Sequence, residues 1–155
     1  VLALQSDMTR VATYRLPVCS LISDLGISLT PHSLSHYGFD DDRRAASEKR
    51  DQKIMNIFAW FLDRLKETKD FDGRSLFDSC IVSFGSNLRT GHGLTSLPAL
   101  LSGGGADRIR HGRHIVLPKE NTSLANYWLT LLQQAGVDTP KFHYSDGEIS
   151  ELLNS

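Results

Sequence analysis

No apolar run in this chain approaches the roughly 18 residues that a membrane-crossing helix needs, so a direct membrane span is not expected. Charge of one sign is also missing, with 17 basic residues against 18 acidic ones and a formal charge of -1. Binding to nucleic acid or to anionic lipid rests on a basic excess, and these partners are set aside. Cysteine is scarce: Cys19 and Cys80 stand far apart and cannot build a disulfide framework. Cys80 lies inside an apolar run, where a buried free thiol is the usual outcome. Aromatic residues make up 8% of the chain and are scattered, which leaves a carbohydrate-binding module with little support. The N-terminus has no basic-then-apolar signal pattern. It begins at Val1-Leu2-Ala3-Leu4 with no methionine, which leads to the expectation of a removed upstream segment.

What is present is the balance of a soluble globular domain, 40% hydrophobic and 23% charged, over a length that suits one core. Val11, Thr13 and Tyr14 read as a buried strand late in residues 1–16. Asp7 and Arg10 flank that run and read as a buried ion pair near a sheet edge, ahead of a role in shaping a site. Pro17, Gly26, Pro31, Gly38 and many serines mark residues 17–42 as a long loop holding short pieces of structure. Ile54, Ile57, Phe58, Phe61, Leu62 and Leu65 share one helical stripe and predict a helix over about 47–68. The charged run Asp40 to Arg44 reads as a solvated approach to it.

Beyond Gly73 the pattern shifts. Cys80 to Gly85 is short, nearly continuous in apolar residues and ended by glycine, as a central strand covered on both faces would be. Leu97 to Leu101 and His114 to Leu117 are further strand candidates, with Pro98 tolerable only at a strand start or edge. Leu124, Tyr127, Trp128, Leu131, Leu132 and Ala135 predict a second helix, with Thr122 or Ser123 as its cap and Gly136 as its stop. Trp60 and Trp128 read as packing residues on their helices. Strands alternating with helices imply an α/β fold: a mostly parallel or mixed central sheet with helices on both faces.

The chemistry centres on histidine. His32 and His36 stand four residues apart in Pro31-His32-Ser33-Leu34-Ser35-His36, and on one helical turn both imidazoles could face a single ion such as zinc. His92 lies in the loop after the Cys80–Gly85 strand, the end of a strand at which open α/β sheets place their sites. His111, His114 and His143 have no comparable context and read as surface or supporting residues. Gly103-Gly104-Gly105 fits neither a Walker loop nor a G-x-G-x-x-G turn, and reads as a tight turn.

The opening Leu2 to Thr13, the run His32-Ser33-Leu34-Ser35-His36, the segment Leu97 to Gly105, Gly112-Arg113-His114 and the tail Phe142 to Gly147 resemble, in order, the HXXSHH family of exported bacterial proteins of unknown function. The resemblance implies residues 1–155 as the C-terminal part of one incomplete alkaline phosphatase-like α/β domain. Its N-terminal half, carrying the nucleophile, would lie upstream. It also implies a periplasmic or extracellular location, a divalent metal such as zinc at His32, His36 and His92, and other exported proteins in an assembly as partners. Four positions depart from what the resemblance implies. Tyr37 stands where the last histidine of the motif belongs, Leu94 where a histidine often follows His92-Gly93, and Ser86 and Asn87 where the superfamily places an Asp-His pair. Two functional expectations follow. The favoured one is an eroded metal site in a non-catalytic structural or interaction subunit, and the other is a metal-dependent hydrolase of phosphate, sulfate or related esters.

Overall fold

The computed structural model describes residues 1–86, 88–105, 107–118 and 122–154, with the side chain of Thr90 also outside the description. The chain divides into two compact units, one of residues 1–64 and 86–98, the other of residues 65–85 and 99–155.

The first unit is helical. α1 (Leu2–Gln5) is a single turn, and a turn at residues 6–8 leads from it into a stretch with no assigned secondary structure before α2. The strand expected at Val11 to Tyr14 does not form: Tyr14 is 81% exposed and Val11 is equally bare, so neither supplies the burial that stabilises a strand. Asp7 and Arg10 do pair, at 2.9 Å, but on the open surface and not as the buried ion pair expected. α2 (Val18–Asp24) and α3 (Pro31–Ser35) are the short pieces inside the 17–42 loop. They contact each other, and Leu21, Ile22 and Leu34 are buried. α4 (Asp41–Glu67) contains the predicted helix and begins earlier. The Asp40 carboxylate accepts the Arg43 backbone N–H at 3.0 Å, while Asp41 and Asp42 in the first turn face the positive end of the helix dipole. The charged run is therefore the cap and first turn of α4. Trp60, expected as a packing residue, is 63% exposed.

The second unit holds the sheet. α5 (Leu76–Ser79) is capped by Ser75, whose hydroxyl accepts the Asp78 N–H. β1 (Val82–Gly85) pairs antiparallel with β2 (Ala99–Ser102), Val82 opposite Ser102 and Gly85 opposite Ala99. This two-stranded antiparallel sheet replaces the expected central parallel or mixed sheet with helices on both faces, and with it the alkaline phosphatase-like architecture. The reason lies in the connection. The described residues of 86–98 contain a 3-10 turn and no helix longer than that, whereas a parallel neighbour requires a crossover, usually a helix, to carry the chain back. The burial of β1 alternates between half-buried and exposed, so the strand is not covered on both faces. His114 to Leu117 forms no strand, and Val116 is exposed.

α6 (Leu124–Gln134) matches its predicted helix. The Ser123 hydroxyl caps it by accepting the Asn126 N–H at 3.2 Å, and Gly136 takes φ +86° just past its end. Tyr127 and Leu131 of α6 pack with Ile149, and Ile81, Leu101, Leu117 and Leu152 close around them. The Tyr127 hydroxyl also shares a 2.8 Å hydrogen bond with the Ser83 hydroxyl, tying α6 to β1. Trp128, whose ring meets that of Tyr127 edge-on at 5.2 Å between centroids, stays 40% exposed. The glycine triplet is the tight turn expected of it: a Cβ on Gly103 would stand 2.2 Å from the Cys80 carbonyl oxygen, at φ +83°.

Candidate metal centre

His32 and His36 are delivered by α3 and its end. The Thr30 hydroxyl caps this helix by accepting the Ser33 N–H at 3.1 Å, and Pro31 presets its first turn. Leu34, fully buried, anchors the helix between the two histidines. His36 leaves the helix at its C-cap with φ -119°, and its ring centroid lies 4.6 Å from that of His32.

His92 comes from a chain segment 56 residues away. Ser86 folds back on its own loop, its hydroxyl donating to the Leu88 carbonyl at 2.7 Å. The Arg89 N–H then donates to the Gly93 carbonyl at 3.1 Å, and the two residues form an antiparallel bridge that closes a small loop. Inside it Gly91 takes φ +69° and His92 takes φ +61°. The left-handed conformation suits Gly91 but costs a residue with a Cβ, of order 1–3 kcal/mol, and such strain gathers at functional sites.

The loop sets His92 against the other two rings. The His36 and His92 Nε2 atoms are 3.2 Å apart, and the His32 and His92 centroids are 5.6 Å apart. One ring nitrogen from each of the three lies within 4.8 Å of the others, and all three residues are exposed. With zinc–nitrogen bonds of about 2.0–2.1 Å, two ligands of a tetrahedral ion stand about 3.3 Å apart. The His36–His92 spacing already fits that edge, and the His32 nitrogen, within 4.8 Å of both, would have to move closer to complete the face. Among the described residues no carboxylate or thiol joins the group. The donor set is three neutral imidazoles, which suits zinc and similar borderline ions and not magnesium or calcium.

No family model, curated protein or solved structure matches the chain. The likeness to the HXXSHH family therefore remains a resemblance carried by the quoted residues.

The other sequence candidates fall elsewhere. Ser86 serves its own loop, and Asn87 lies outside the described residues. Leu94 is exposed. His111, in the second unit, contacts the Gly103 carbonyl through Nε2 at 2.5 Å, and His143 stacks edge-on against Tyr144. That tyrosine, with Leu124, Ala125, Trp128, Phe142 and His143, lines a shallow apolar recess in the second unit. Arg89 was not singled out by sequence. Its signal, a basic residue three positions before His92, is too common to read without the loop geometry.

Proposed function

We propose that this chain provides a zinc-type metal centre of the hydrolytic kind, with His32, His36 and His92 as its protein ligands and esters of phosphate, sulfate or related acids as its substrates. The observation that supports it is the convergence of three imidazoles, one of them brought in by a strained loop, with one pair of nitrogens already at the spacing of a tetrahedral edge. Structural zinc sites close their shell with four protein ligands, whereas catalytic ones keep three and leave a position open, and this set has three. Its exposure leaves that position accessible. Zinc bound there supplies Lewis acidity toward an ester oxygen. The imidazoles hold the ion; Thr30 and Leu34 orient the first pair, and the Arg89–Gly93 bridge fixes the third. The HXXSHH resemblance supports an exported protein, periplasmic or extracellular.

A second reading is a non-catalytic structural or interaction subunit of an exported assembly. It is favoured by Tyr37 and Leu94 at two histidine positions and by the lack of any carboxylate in the described cluster.

Zinc content of the purified chain separates these readings, compared between the parent and His36→Ala. The hydrolytic reading expects about one zinc per chain in the parent, at least a tenfold weaker affinity in His36→Ala, and zinc-dependent turnover of an aryl phosphate or sulfate. No zinc in the parent, or equal zinc in both, overturns the metal centre. Zinc without turnover leaves the second reading in its place.

A further inference from the structure

The loop that carries His92 also carries Arg89, an exposed residue whose guanidinium has no hydrogen-bond or ion-pair partner among the described residues. By contrast Arg43 and Arg44, at the start of α4, are engaged by Asp40 and Asp41. Arg89 is instead laid along the backbone of its own loop: its Nε is 2.9 Å and its Cγ 3.0 Å from where a Cβ on Gly93 would stand. Gly93 directly follows His92, and adjacent Cα atoms are about 3.8 Å apart. The Arg89 stem is thus held against the residue next to a proposed metal ligand, and the absent side chain of Gly93 provides the room.

Charge decides what this arrangement accepts. Three neutral imidazoles leave both positive charges of a divalent ion uncompensated, and Arg89 adds a third. A planar guanidinium is suited to bidentate hydrogen bonding with tetrahedral oxyanions. We propose that Arg89 is the anion-recognition residue of this site, gripping the non-bridging oxygens of a phosphate- or sulfate-type group whose remaining oxygen occupies the open metal position. The proposal rests on the metal centre proposed above. It selects anionic oxyesters over neutral carboxylic esters.

The test is titration of the zinc-loaded full chain with inorganic phosphate and, separately, sulfate, followed by calorimetry, for the parent, Arg89→Ala, Arg89→Lys and Gly93→Ala. Gly93 has φ -62° and ψ 138°, a conformation alanine adopts freely, so Gly93→Ala displaces the arginine while keeping its charge and the loop's path. Expected, with each protein compared at the same zinc occupancy, are at least tenfold weaker phosphate binding in Arg89→Ala and in Gly93→Ala and a smaller loss in Arg89→Lys. Sulfate binding with the same order of losses extends the site to sulfate esters, and its absence confines it to phosphate. Equal phosphate affinity in all four proteins, with zinc bound, overturns the role of Arg89 and leaves the metal centre standing. A parent chain that takes up no zinc overturns both.

Discussion

Cys19 and Cys80 show how neighbours alone separate two chemically identical side chains. Cys19 is exposed on α2, whereas Cys80 is half-buried just before β1. Burial raises the Cys80 thiol above its ordinary pKa of 9.0, and the negative charge of Asp70 adds to the shift, since both disfavour the thiolate. The thiolate is the reactive form, so a raised pKa means less of it at any pH below that value. At pH 8 iodoacetamide should modify Cys19 first, with Cys80 slower by about tenfold or more. Mass spectrometry of peptides sampled over time measures this, and equal rates would show that the Cys80 environment is open to solvent. Asp7 and Arg10 carry the complementary lesson. Their spacing in sequence was enough to foresee a pair, but not that it would lie in water, where such a pair contributes little.

At the scale of elements, α4 and α6 were legible because a helix writes its stripe into local periodicity; the Ser123 cap of α6 could be read as well, whereas the Asp40 cap of α4 lay hidden in a charged run that reads equally well as a solvated approach. The sheet was not. The apolar run ending at Gly85 has the composition of a strand, but which strand pairs with it, and in which direction, depends on the connection through residues 86–98 and not on the run itself. The histidines divide in the same way. His32 and His36 are a local pair that spacing reveals, whereas the approach of His92 depends on positive φ at Gly91 and at His92 itself, which no local pattern announces. α6 also anchors the C-terminal tail through one fully buried hydroxyl. Thr130 Oγ1 donates to the Asn126 carbonyl at 2.8 Å and accepts the Ile149 N–H at 2.8 Å. Thr130→Val keeps the shape and leaves the buried Ile149 N–H without an acceptor, which costs about 1–3 kcal/mol. Urea denaturation should register that loss as a lower midpoint with an unchanged slope, and a midpoint equal to the parent's would mean that the Ile149 N–H finds another acceptor.

For the molecule as a whole, the two units divide the chemistry from most of the packing. The proposed ligands and Arg89 all belong to the first unit, while the cluster around Tyr127, Leu131 and Ile149 belongs to the second. A ligand that binds only the folded state stabilises what it binds by mass action, about 2.7 kcal/mol at a concentration a hundredfold above its dissociation constant. Among their described residues the strained loop and the short α3 bury one fully, Leu34, so their amides should open easily in the metal-free chain. Zinc joining His32, His36 and His92 would tie together segments 56 residues apart, and opening either segment would then require losing the ion. Hydrogen–deuterium exchange with and without zinc is therefore expected to slow at residues 30–36 and 88–93. The amides of α6, which carry no proposed ligand, should exchange at the same rate in both states. Slowing spread evenly over both units would mean that zinc acts through association of whole chains, and no slowing at the histidines would place any bound zinc elsewhere.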